Sequence, residues 1–367
     1  MFEQAIQMFG EGGLAALGGL VIGLIFGASA QRSRFCLRAA TLDFWKGQLS
    51  DRVAVWVLAF SAAVLATQLA VSLAVIDTSV IRSLNSRGSL SGAIIGGAMF
   101  GAGMVLARGC ASRLLVLSAG GNLRSVVTGL IFAVVAQASL RGWLSPLREK
   151  LAELWTLDGT AELNLLSLLG AQSTLGIAFG VVFLVVGLVF ARWTRISARS
   201  AVYALIVGLA VAAGWTFTAG MASASFDPQP VKSLSFTGPS AATLMQVLTQ
   251  PFLRLEFDIG LVPGVLLGAF LAASFGGDLK LEGFQDGLGM RRYLAGAILM
   301  GFGGMLAGGC AIGAGVSGAS VFSTISWLTL LAMWIAAGVT DAMVDGAARN
   351  ADVSANAGSG QLPATNR

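Results

Sequence analysis

Long stretches free of charged residues restrict this chain to folding within a lipid bilayer. Uncharged apolar runs occupy 12–31, 53–76, 88–107, 163–191, 200–226, 233–253, 259–277 and 293–340. A helix crosses about 30 Å of hydrocarbon with roughly 20 residues, so nearly every run is long enough to span. The runs are rich in Leu, Ala, Val and Gly, show no period-2 alternation of a membrane barrel, and as helices satisfy their own backbone in lipid. Only 11% of residues are charged, against about 25% in soluble domains. The expected fold is therefore an all-α polytopic integral membrane protein, with one transmembrane domain over residues 1–345.

The net charge of +5 comes from Arg and Lys in short segments between runs, such as Arg32, Arg34, Arg38, Lys46 and Arg52. Such loops anchor a membrane protein on its cytoplasmic side. They form no single basic face, so no nucleic-acid partner is expected. GASAQ, at the end of the first run, resembles a signal-peptidase site, but Glu3 and Glu11 precede it where a secretory signal carries a basic segment. Residues 346–367 are small, polar and aperiodic, and are expected to be a disordered tail.

The chain states one pattern twice. At an offset of 200 residues, GGAMFGAGMVLARGCA (96–111) lies over GAILMGFGGMLAGGCA (296–311), matching Gly96, Gly101, Gly103, Leu106, Ala107, Gly109, Cys110 and Ala111. The same offset sets QRSRFC (31–36) over VKSLSFT (231–237), with one residue inserted. Two homologous repeats are expected, about 12–142 and about 200–344, joined by a linker helix at about 163–191. Internal duplication is a transporter signature, with the solute site at the repeat interface among interrupted helices.

The interruption is written in glycine. Residues 293–340 are too long for one span, and their middle reads GFGGMLAGGCAIGAGVSGAS. Glycine weakens a helix by roughly 1 kcal/mol relative to alanine, so a helix over 291–307, a break near Gly308–Cys310 and a second piece are expected. For Gly96 to Gly103, close helix packing competes with a break. Gly109 and Gly309, each directly before a cysteine, are expected to form a turn that aims the thiol or an amide.

The three cysteines are Cys36, Cys110 and Cys310, and the chain has no histidine. No C-x-x-C pair exists for redox or zinc chemistry, and the commonest metal ligand and proton shuttle is missing. No metal site and no cofactor are expected. A lone membrane cysteine is usually an inert small hydrophobe. Here two occupy equivalent repeat positions after glycine, and the third closes the other shared motif. Thiols are weak donors and polarizable acceptors, suited to a soft, sulfur-bearing solute. A helix starting inside the membrane adds free N–H groups and a positive dipole end. Ser33, beside Arg32 and Arg34, and Ser235 and Thr237, near Lys232, stand where such starts are expected; Ser and Thr there are also ordinary N-caps. Acids are confined to run ends, as at Asp43, Asp77, Glu256 and Asp258, which disfavours a proton relay and a cation path, and leaves an anion.

At these motifs the sequence resembles the YeeE/YedE family of sulfur-compound transport proteins, implicated in thiosulfate uptake. The resemblance rests on QRSRFC, GAGMVLARGC, SLSFTGP at 233–239 and GGMLAGGCAIGAG around Cys310, in order, and covers 12–344. It implies short re-entrant helices that dip from both surfaces to a central constriction, an hourglass in which Cys36, Cys110 and Cys310 touch passing thiosulfate. It also implies a multi-pass protein of the bacterial inner membrane and a small soluble sulfur carrier as a partner on the cytoplasmic side. Arg108 and Arg113 stand where the second repeat has Gly308 and Gly313, an asymmetry consistent with an anion vestibule at one mouth; Arg34 and Arg108 are expected on the solute path.

The first expectation is thus a permease for thiosulfate or a close sulfur oxyanion, not an enzyme. The alternative is a membrane thiol enzyme that takes sulfane sulfur as a cysteine persulfide for a soluble carrier, with arginine favouring the thiolate. A soft-metal permease using Cys and Met is weakened by the missing histidines.

Overall fold

The apolar runs become helices, and where glycine or proline interrupts them the helices are short. The computed structural model describes residues 2–81, 84, 87–157, 163–168, 170, 173–225, 230–283 and 287–359. The first half contains α1 (Phe2–Ser33), α2 (Leu37–Trp45), α3 (Asp51–Ser72), α4 (Gly97–Leu106, preceded by a π-helix at Gly92–Gly96), α5 (Ala111–Ala119) and α6 (Leu123–Arg141). After α7 (Ser173–Trp193) come α8 (Ala198–Ala224), α9 (Thr237–Thr249), α10 (Phe257–Gly276), α11 (Gly287–Leu306), a π-helix at Gly313–Gly318 and α12 (Thr324–Ser359). Among the described residues, eight helical stretches are long and apolar enough to cross a membrane. This is a multi-pass helical membrane protein.

The order long, short, long, long, short, long occurs on both sides of α7, with the second π-helix in the place of α5. Packing follows the same exchange. Helix α1 packs on α10 as α8 packs on α3; α4 packs on α12 as α11 packs on α6; α2 meets α12 as α9 meets α6. Helices α4 and α11 pack on each other antiparallel. Gly96 lies against Gly303 and Ala307, and Gly296 against Gly103 and Ala107. Gly97 and Gly101 face Thr329 and Met333 of α12. Of the two expectations for Gly96 to Gly103, close packing is the one observed.

A second glycine seam joins α1 and α10. An added Cβ at Gly19, Gly23 or Gly27 would overlap carbonyl oxygens of Phe257, Leu261 and Val265; one at Gly260, Gly264 or Gly268 would overlap those of Ala16, Leu20 and Leu24. The numbers rise together, so the helices run parallel. Small residues four apart let two backbones touch in lipid, where no hydrophobic drive separates helix from tail. Helix α7 packs antiparallel along α3, Gly176 against Gln68, Gly180 against Leu65 and Gly187 against Leu58.

Two boundaries differ from the sequence expectation. The run 233–253 is no crossing helix, because only α9, 13 residues long, is helical. The segment before it is held extended by polar bonds that hydropathy does not register: Thr218 Oγ1 donates to the Lys232 carbonyl at 2.6 Å, Ser233 Oγ to Val211 O at 2.6 Å and Ser317 Oγ to Leu234 O at 2.7 Å. At the other end, α12 continues through 346–359, the stretch expected as tail; residues 360–367 lie outside the described residues.

Three acids pair with cations. Asp43, 9% exposed, accepts from Ser50 Oγ at 2.5 Å and lies 3.7 Å from Arg52. Asp341, missed in the sequence, is buried at 5% and pairs with Lys46 at 3.1 Å, tying α12 to the end of α2. Lys232 pairs with Asp258 at 2.7 Å.

Candidate functional site

Every cysteine stands two residues after a left-handed residue. Arg34 (φ 53°) precedes Cys36, Arg108 (φ 54°) precedes Cys110 and Gly308 (φ 78°) precedes Cys310. Each left-handed residue ends a long helix. In the first half the ends are Schellman turns, with Phe35 N–H on Ala30 O and Gly109 N–H on Met104 O, both at 3.1 Å. The chain then straightens, and Cys36 (φ −159°, ψ 112°) and Cys110 (φ −85°, ψ 172°) occupy the N-cap positions of α2 and α5. Neither makes a side-chain capping bond. Each thiol therefore stands at the positive dipole end of a helix.

The left-handed residues of these turns are Arg108 and Gly308, one position before Gly109 and Gly309. Gly309 is needed for space, since an added Cβ would lie 2.7 Å from the Ala314 nitrogen; at Gly109 it would meet Leu114 at 3.4 Å and Arg113 at 3.8 Å.

The thiols fall into two clusters. Cys36, half-buried, and Cys110, 1% exposed, approach each other side chain to side chain. Ser112 Oγ is 3.4 Å from Cys110 Sγ. Arg113 and Arg38 are close enough to act electrostatically on Cys36. In the other cluster Cys310, fully buried, accepts two backbone N–H groups at its sulfur, from Phe236 at 3.3 Å and Gly313 at 3.4 Å. Ser235 rests against Gly313. Thr237, 1% exposed, carries a buried Oγ1 with no hydrogen-bond partner and lies beside Gly304. The rings of Phe26 on α1 and Phe236 meet at 5.3 Å.

The remaining sequence candidates lie elsewhere or are already engaged. Ser33 is buried, but its hydroxyl donates to Ser29 O at 2.7 Å within α1. Arg34 and Arg108 are exposed, so neither carries the cost of a charge buried in the protein. The cations that act on Cys36 are Arg113, which the sequence sets apart with Arg108 as facing a glycine in the other repeat, and Arg38, which it counts only among the loop charges. Arg113 is visible once the start of α5 is known, because it follows Cys110 by three residues and shares its helix face.

The arrangement offers soft sulfur atoms at helix starts, a buried hydroxyl without a partner, and guanidinium groups. It is suited to an anion carrying sulfur. The sulphur transport family matches residues 32–339. A thiosulfate transporter TsuA of Spirochaeta thermophila is 30% identical over 328 residues, covering 84% of this chain and 93% of the relative. A protein of the same name from Escherichia coli strain K12 is 25% identical over 362 residues, covering 93% and 99%.

Proposed function

The chain belongs to the sulphur transport family, and from that premise we propose that it is a permease for thiosulfate or a close sulfur oxyanion. Transport, not catalysis, is its activity, and its relatives are named as thiosulfate transporters. In this reading the two repeats place α2, α5, α9 and the second π-helix as re-entrant pieces about a shared path lined by Cys36, Cys110 and Cys310.

The observation that carries the reading is the recurring unit of left-handed residue, one spacer, cysteine and helix start. A thiosulfate dianion loses water at great cost unless donors replace it. Thiols, first-turn amides and the Thr237 hydroxyl supply donors without formal charge, and several weak stations let an ion enter and also leave. The protein would lie in a bacterial inner membrane and hand its solute to a small soluble sulfur carrier on the cytoplasmic face.

The test is uptake of labelled thiosulfate in cells lacking other sulfate and thiosulfate systems. Expression of this chain is expected to restore uptake, and Cys110→Ala and Cys310→Ala to reduce it at least about tenfold. Full uptake by both variants would refute the cysteine path; no uptake by the unaltered chain would refute the permease.

A further inference from the structure

Beside each thiol cluster lie buried polar atoms without a hydrogen-bond partner. In the first half they are Nη1 of Arg113 and Nε of Arg38; in the second the atom is Oγ1 of Thr237. Arg113 and Thr237 differ in charge. Arg113 is the third residue of α5, one turn from Cys110, and acts on Cys36. Arg38 also acts on Cys36 but has a further interaction within the protein. The matching residue of the second half is Gly313, where even an added Cβ would overlap the Ser235 hydroxyl. That half has no room for a cation at this position.

A buried guanidinium nitrogen without an acceptor is costly, and an anion's oxygens satisfy it with charge-assisted bonds about twice as strong as neutral ones. A hydroxyl binds more weakly and can donate or accept. We propose that Arg113 holds the transported dianion at the Cys36–Cys110 cluster, and that the Cys310–Thr237 cluster is its weaker, neutral counterpart. The path then has one strong and one weak station, set by an arginine in one repeat and a glycine in the other. This inference rests on the permease reading.

The test is thiosulfate uptake as a function of concentration. Arg113→Gln is expected to raise KM by about tenfold to a hundredfold, with Vmax within about threefold of the unaltered chain; Arg113→Lys keeps the charge and is expected to recover most of the KM. Thr237→Val is expected to change KM less than Arg113→Gln. An unchanged KM in Arg113→Gln, or equal damage by Lys and Gln, would overturn the assignment while leaving the permease intact. Absence of uptake by the unaltered chain would instead overturn the permease. Should Arg113→Gln fail to accumulate, the unaltered protein decides. Sulfate, equal in charge to thiosulfate but lacking its terminal sulfur, is expected to slow alkylation of Cys36, and no slowing by sulfate would refute binding through Arg113.

Discussion

Phe236 donates its backbone N–H to the sulfur of Cys310 across 3.3 Å, joining the loop before α9 to the break after α11. Gly313 donates to the same sulfur. The thiol is thus an acceptor towards the protein, and its S–H is left to donate elsewhere.

Removing that acceptor has a structural cost separate from transport. Cys310→Ala leaves two buried N–H groups unsatisfied, at about 1–3 kcal/mol each, and is expected to lower the thermal midpoint of the purified protein in detergent. Cys310→Ser keeps an acceptor and is expected to recover part of the loss. Equal midpoints for the alanine variant and the unaltered protein would show that these contacts contribute nothing.

The cysteines differ in exposure, so they are expected to differ in reactivity. Cys36 is half-buried, whereas Cys110 and Cys310 are 1% and 0% exposed. A small membrane-permeant alkylating reagent, followed by peptide mass spectrometry over time, is expected to label Cys36 first. Earlier labelling of Cys310 would contradict the burial described.

Arg108 holds a left-handed backbone in which a non-glycine residue is strained by roughly 1–2 kcal/mol. Arg108→Gly, the residue of the second repeat, is expected to keep or slightly raise the thermal midpoint. Because the side chain is exposed, the same variant is expected to keep uptake within about threefold, a smaller effect than that of a charge-assisted contact. A collapse of uptake with the midpoint preserved would return Arg108 to the solute path.

Glycines differ sharply in what they tolerate. Gly260→Val would drive a side chain into the Ala16 carbonyl and is expected to cost about 3 kcal/mol or more, seen as loss of the monodisperse species on size exclusion. Gly129→Ala, within α6 with open space around it, is expected to stabilise by up to about 1 kcal/mol. Similar behaviour of the two variants would refute the backbone contact of α1 and α10.

The fold was legible wherever one physical rule acted alone. Uncharged length announced the spans, and a glycine directly before Cys110 and Cys310 announced the turns there. Segment 233–253 was misread because freedom from charge does not distinguish a crossing helix from a 13-residue helix behind a loop pinned by Thr218, Ser233 and Ser317. In ARGC the left-handed residue is the arginine, a placement that depends on where the Schellman turn closes. Gly19, Gly23 and Gly27 show their spacing in the sequence but not their partner, since contact with α10 depends on tertiary packing. Arg113 stood out in the sequence as an arginine facing a glycine of the other repeat, but not as a neighbour of Cys36, because that placement depends on two helix starts from separate parts of the chain.

Because α1 and α10 touch through main-chain atoms along several turns, no layer of side chains lies between them to lubricate sliding. The pair acts as one stiff beam. Any opening of the molecule must be borne by the pieces that do not share such a weld, namely α2, α5, α9 and the π-helix at Gly313–Gly318, and these are the segments that carry or adjoin the sulfur atoms.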